Sequence, residues 1–356
     1  MKPLLTRAGV GLSAAVLVLS TSGCVESGRD SSSAPETDCP WQPDTSITTS
    51  ARIAWQPIPN GDVVVKDLGL LEACMPNADI TWVQAASGGD VVKYYGSGDV
   101  DLGLMGSAPA TKASSLPLLG DVDLSVVWVH DVIGDAESLI VKDPADADIT
   151  DLKGKKIAVP FTSTAHYSLL QALTDAGLDP GKDVDIVNLE PEMMPGAWQG
   201  DEIDAAWVWD PVQSQLLEQG GERILSSKDT AEAGRPTFDL GTADRGFVKD
   251  NPEFLAQWAT AQDYAVRMLQ EDPDKAAESV AVVLGIEPDQ AKAQFAGLSY
   301  LRADEQAGAD HLGGQLAADL FTTAKFLLGQ GEIAELGSKK QYAEHVDATP
   351  ATEAAK

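Results

Sequence analysis

The sequence predicts an α/β protein of two lobes, each a mostly parallel sheet covered by helices. Three observations lead there. From Arg52 onward, short apolar runs alternate with longer stretches of helical periodicity, the pattern of repeated strand–helix units. A second series of the same kind starts at Lys156. Finally, Ser97–Pro109 is echoed by Gln199–Pro211: each is a Gly-Asp turn, an Asp opening an apolar strand, and a polar residue with Pro launching a helix. A chain of 356 residues also exceeds one ordinary core and suits two units of about 100–200 residues.

In the first series, Arg52–Trp55, Asp79–Val83, Asp101–Met105 and Leu124–Val129 read as buried strands, because each is a short apolar run bounded by turn residues. Val63–Leu71 and Asp90–Tyr95 read as the helices between them. The second series offers a strand at Lys156–Val159, a helix over Ala165–Ala176, and strands at Val184–Asn188 and Ala205–Val208. After Leu240 the pattern is mostly helical, most clearly at Asn251–Leu269 and Pro273–Leu284.

The N-terminus reads as an export leader over 1–23. Lys2 and Arg7 supply the basic end, and the apolar stretch Val10–Leu19 is too short to span a bilayer as a mature helix. Small residues then run into Cys24, and Leu19–Cys24 resembles a bacterial lipobox, whose cysteine thiol takes a diacylglycerol. The plain alternative is a cleaved signal with an incidental cysteine. Residues 24–45, rich in Ser, Asp, Glu and Pro, read as the lipidated cysteine and a flexible tether. Cys39 and Cys74 remain, and an even pair in an exported chain favours a disulfide over two free thiols.

Charge narrows the partners. Lys and Arg total 25 against 55 Asp and Glu, a net charge of −30. Nucleic acid and anionic surfaces held through a basic patch are excluded, since such binding needs phosphates neutralised by cations. His130, His166, His311 and His345 are scattered and neither cysteine has zinc-site neighbours, so no metal and no cofactor is expected.

Three strand ends run into helix starts. Ser107 precedes Pro109, Ser163 and Thr164 precede an apolar helix, and Asp210 precedes Pro211. Free N–H groups and the helix dipole make such termini anion sites without Lys or Arg. In open α/β sheets the ligand crevice lies at the carboxyl ends of the strands, where these turns sit. Taken singly, each is better explained by ordinary capping, and only their recurrence at matching places in two lobes brings the anion-site reading level with it. Trp55, Phe161, Tyr167, Trp207, Trp209 and Phe238 also fall at strand ends or their turns, and aromatic faces near a carboxylate can hold a small cation. Enzymatic readings are weak. Ser163 and His166 have no third orienting group, and neither a Walker loop nor a Gly-x-Gly-x-x-Gly run is present.

The run Gly154–Leu170, continuing through Val187–Pro191, Ala197–Gln199 and Asp204–Trp209, resembles the taurine-binding and aliphatic sulfonate-binding periplasmic proteins of bacterial ABC importers. Ala54–Gln56, Ser97–Asp101, Gly106–Pro109, Ala136–Lys142 and Pro236–Asp239 support it, and the likeness extends from about Arg52 to Tyr342. The resemblance implies a type II periplasmic-binding-protein fold with the ligand in the cleft between lobes. The first lobe would hold 46–139 and 241–347, the second 140–240, with 348–356 a tail. Hinge crossings are expected near Ser138–Val141 and Leu240–Gly246.

The resemblance further implies an exported, lipid-anchored, monomeric binding protein at the outer face of the cytoplasmic membrane, not an enzyme, with an ABC permease and its ATPase as partners. Gln56, Ser107, Ser163 and Thr164 would hold a sulfonate. Glu137 and Asp239 would hold an ammonium, and Trp209 and Tyr167 would wall the pocket. Another small sulfonate, a sulfate ester or another zwitterion are alternative ligands. A sensor lipoprotein and an enzyme of the thiamine-precursor type are alternative roles.

Overall fold

The apolar runs close into two sheets in a computed structural model that describes residues 38–143, 145 and 148–356. The expected leader 1–23, the lipidation site Cys24 and residues 25–37 lie outside the described residues. The strands are β1 (Ser50–Trp55), β2 (Asp79–Gln84), β3 (Leu102–Gly106), β4 (Leu124–Ile133), β5 (Glu137–Val141), β6 (Lys156–Val159), β7 (Asp185–Asn188), β8 (Ala205–Trp209), β9 (Glu222–Ser226), β10 (Phe238–Asp244) and β11 (Leu298–Ser299).

One sheet has the order β11-β4-β10-β3-β1-β2, the other β7-β6-β8-β5-β9. Parallel pairing joins β2, β1 and β3, and likewise β7, β6 and β8. β10 is inserted antiparallel between β3 and β4, and β5 antiparallel between β8 and β9. Both sheets are therefore mixed, where mostly parallel sheets were expected. Each has its own apolar core: Trp128 meets Trp258 edge-on at 6.2 Å beneath the first, and Trp198 and Trp207 are buried with the second.

β5 and β10 are also the strands by which the chain changes sheet. It leaves the first sheet between Ile133 and Glu137 and returns between Ser226 and Phe238. The hinge segments expected at Ser138–Val141 and Leu240–Gly246 instead lie in strands β5 and β10 and the start of the helix Arg245–Asp250. Polar residues near the start of each strand, Glu137-Ser138 in β5 and Asp239 in β10, conceal them from a search for apolar runs.

Two terminal segments also differ from expectation. Residues 39–45 are held rather than loose: Cys39 is bonded to Cys74, with Cα atoms 4.9 Å apart, and Trp41 donates its indole N–H to Gln257 at 2.9 Å. Within the expected tail, Thr349–Ala354 is a helix that buries Pro350 and Ala351 against the helix Pro252–Glu271. Small apolar side chains there needed only a partner surface to become helical.

The disulfide spans a sequence separation of 35 residues. On the chain-entropy account such a loop contributes about 3–4 kcal/mol. Replacing both Cys39 and Cys74 with Ser should lower unfolding stability by an amount of that order, measured by denaturant titration. A variant as stable as wild type would show that the bridge adds nothing to the packing around Trp41.

Candidate functional site

The edge that carries the carboxyl ends of β1 and β3 faces, across the cleft, the edge that carries those of β6 and β8. Because β5 and β10 run antiparallel to those strands, their first residues, Glu137 and Asp239, fall on these edges. Register fixes this: Glu137 pairs with Trp209 at the end of β8, and Asp239 lies between Gly106 at the end of β3 and Asp131 near the end of β4. The cleft contains a small pocket lined by Gln56, Gly106 and Asp239 from one side and Glu137, Ser163, Thr164 and Trp209 from the other.

Helix Thr164–Asp175 points its N-terminus at the cavity. Ser163 caps it, its hydroxyl accepting from the His166 backbone N–H at 3.0 Å and donating to the Pro160 carbonyl at 2.6 Å. Thr164 is the first helical residue, so its N–H belongs to the orphan donors of the first turn. Thr162, just before, has φ of +60°, a left-handed conformation that is strained for a β-branched residue and fixes the entry to the helix. Gln56 donates its amide to the Leu104 carbonyl at 2.9 Å and keeps a second amide hydrogen.

The carboxyls dominate the electrostatics. Glu137 is 1% exposed and accepts hydrogen bonds from Thr164 Oγ1 at 2.5 Å and Ser227 Oγ at 2.6 Å. Burial still pushes its carboxyl up to about 7. Asp131 is fully buried, also raised to about 7 by burial, and accepts from Asn60 Nδ2 at 3.3 Å. Asp239 is pushed well above the usual carboxylate range, first by burial and then by the charges of Asp131 and Glu137. The charged neighbours that act on these three groups are other carboxyls, none of them cationic. A fourth acid, Asp210, is raised to about 6 by burial but is satisfied within its own helix turn by the Ser214 N–H and hydroxyl.

Six of the eight expected ligand residues therefore meet at one cavity. Tyr167 and Ser107 do not line it. Tyr167 points into the packing of the first sheet, edge-on to Phe326 at 5.3 Å, on the side of its helix opposite Ala165, Leu169 and Leu173, which pack with the second sheet. Ser107 is buried one residue past the cavity wall at Gly106, and its hydroxyl accepts from the Phe238 N–H at 3.3 Å, steadying the start of β10. Ser163 and His166 do not form a nucleophile–base pair. The serine oxygen contacts backbone, and the imidazole stacks on Phe161 at 4.7 Å. Sequence reasoning missed Asp131, Asn60 and Ser227. For Asp131 a signal existed: an acid inside the apolar run of β4 must be partnered or functional.

The profile of the NMT1-like family matches residues 63–284, a span that takes in most of both sheets. The chain belongs to the NMT1-like family. It is 34% identical over 262 residues to the taurine-binding periplasmic protein of Escherichia coli (strain K12), covering 72% of this chain and 79% of that protein. It is 32% identical over 211 residues to a putative aliphatic sulfonates-binding protein of the same organism, covering 59% and 64%. Among solved structures, the alkanesulfonate-binding protein SsuA from Xanthomonas axonopodis pv. citri, bound to MOPS, superposes with a TM-score of 0.69 at 24% identity, over 84% of this chain and 98% of that one. This NMT1-like chain thus shares the fold of two sheets around a cleft.

Close approach across the cleft depends on Gly106. A Cβ there would lie 2.6 Å from Thr164 Cγ2, and Thr164 is tied to Glu137. Gly106→Ala should lower stability by about 1–3 kcal/mol through overpacking. Adding Thr164→Ser, which removes that methyl, should restore most of the loss. Denaturant unfolding of the two single variants and the pair checks this, and no recovery in the pair would contradict the contact.

The buried acids also set a pH dependence. Their folded-state pKa values are raised, so between the ordinary carboxylate range and about pH 7 the folded state binds more protons than the unfolded one, and stability falls as pH rises. Glu137→Gln keeps the hydroxyl partners without the charge. It should raise the melting temperature of the ligand-free protein by a few degrees at pH 8 and by less at pH 6. Equal melting temperatures at pH 8 would mean that Glu137 carries no buried charge.

Proposed function

We propose that the protein is an extracytoplasmic solute-binding lipoprotein of an ABC importer, and that it captures taurine or a close aminosulfonate between its lobes. The observation that carries this reading is the pairing, in one small cavity, of an uncompensated group of buried carboxyls with an open helix N-terminus. Carboxyls call for a cation and the helix start for an anion, so the fitting ligand is a small zwitterion. The similarity to the taurine-binding protein of E. coli supports an ammonium paired with a sulfonate.

On this reading Glu137 and Asp239 take the ammonium, and Trp209 packs on the carbon chain. Ser163, Thr164 and Gln56 meet the sulfonate with N–H, hydroxyl and amide donors. Ser107 and Tyr167 leave the ligand set, since neither lines the cavity. A negative net charge is no obstacle, because local dipoles in a closed crevice set the potential there. A plain alkanesulfonate would place its single negative charge beside three acids, which disfavours it. The loaded protein would hand its ligand to a permease and its ATPase, and Cys24 would carry the lipid that keeps it at the outer face of the cytoplasmic membrane. The protein works as a monomer in this scheme.

Calorimetric titration with taurine and with ethanesulfonate tests the reading. Wild type should prefer taurine. Glu137→Gln should weaken taurine by about 30-fold or more, the cost of truncating one side of a buried charged contact, with ethanesulfonate nearly unchanged. Absence of taurine binding at millimolar concentration would leave only the broader binding-protein class. For the anchor, Cys24→Ala should release the protein from membranes, and unchanged fractionation would refute lipidation at that residue.

A further inference from the structure

Among the acids at the cavity and directly behind its wall, Asp239, which lines it, and Asp131, buried beside Asp239, differ from the rest. Glu137 is served by two hydroxyls and Asp210 by the Ser214 hydroxyl and N–H. Asp131 Oδ2 receives only the Asn60 amide, and its buried Oδ1 has no donor among the described residues. The nearby Tyr300 hydroxyl is committed to the Pro59 carbonyl at 2.6 Å. Register sets Asp131 and Asp239 directly opposite on β4 and β10, so their buried side chains are neighbours on one face of the sheet. Two carboxyls buried that close together are held at least cost when one of them keeps its proton.

We propose that Asp131 is a determinant of cation recognition: it shares one proton with Asp239, and the ammonium of the ligand replaces that proton, which leaves to solvent. The proposal rests on the zwitterion reading above and adds a residue and a proton to it. The balance is simple. A carboxylic acid and a carboxylate take up one ammonium at Asp239, become two carboxylates, with Asp131 behind Asp239, and release one proton to the buffer. Adjacent carboxylates cannot both ionise until a cation arrives, so the site is biased against ligands that lack one. Glu137 and the Tyr300 hydroxyl are the other titratable groups that act on the pair, and neither supplies a positive charge. Burial, which raises both carboxyls, keeps the shared proton in place at neutral pH.

Taurine titrations of the full mature protein, run from pH 6 to 8 in phosphate and in Tris, read the released proton. Over that range a primary amine keeps its own proton. Wild-type affinity should rise with pH, approaching tenfold per pH unit if one proton leaves per ligand, and the heats should differ between buffers accordingly. Asp131→Asn removes the shared proton while keeping the shape, so it should lose at least half of that pH slope and of the buffer difference. A pH-independent wild-type affinity, or an unchanged slope in Asp131→Asn, would overturn the proposal. If wild type binds no taurine, the zwitterion reading fails separately, and the pair is judged from infrared spectra of the ligand-free protein at pH 7. A protonated carboxyl band lost in both Asp131→Asn and Asp239→Asn supports the shared proton. Its absence from wild type overturns it.

Discussion

Three carboxyls buried together, with no cation beside them among the described residues, are the constraint on which the rest of this structure turns. The two strands that change sheet run antiparallel to their neighbours, and this brings Glu137 and Asp239 to the edge where the parallel strands end. Asp131 joins them through the β4–β10 register. Had β5 and β10 been parallel, their first residues would lie at the far edge and the cleft would present only capping groups. The topology therefore builds an acidic site in a place that open α/β folds otherwise furnish with helix N-termini.

Such a site is costly to the ligand-free protein. Burying a carboxyl without a cation disfavours its charged form, and each of the three responds by holding its proton to a higher pH. The hydroxyls of Thr164 and Ser227 offset part of that cost at Glu137, while the Asp131–Asp239 pair does so with a proton. Thr164 also serves both sides of the cleft, since its hydroxyl reaches Glu137 while its methyl group lies against Gly106 of the opposite sheet. Recognition and lobe contact thus share one side chain. A ligand that makes its strongest contacts to both sides favours the closed arrangement by its differential affinity.

Much of this was legible from the sequence, for identifiable reasons. The strands of the parallel sets are short apolar runs between turn residues, so β1, β2, β3, β6 and β8 stand out, and Ser163 marks its helix as a cap. β5 and β10 were hidden because their functional residues interrupt the apolar pattern: Glu137 opens one, and Asp239, Gly241 and Thr242 punctuate the other. The crossings were consequently placed a few residues late. Tyr167 was misjudged because helical spacing does not tell whether an aromatic at a helix start faces a cleft or the neighbouring core, and here Phe326 claims it. The acid inside the apolar run of β4 marked Asp131 as partnered or functional, but the sequence did not show that its register partner is Asp239. That pairing is a long-range fact of topology.

The account is tested most directly by a crystal structure of the protein with taurine at neutral pH. It predicts the ammonium between the carboxyls of Glu137 and Asp239, with Asp131 behind Asp239, and the sulfonate against the first N–H groups of the helix Thr164–Asp175 and the Gln56 amide. A ligand lying in the reverse orientation, or bound outside the cleft, would contradict it.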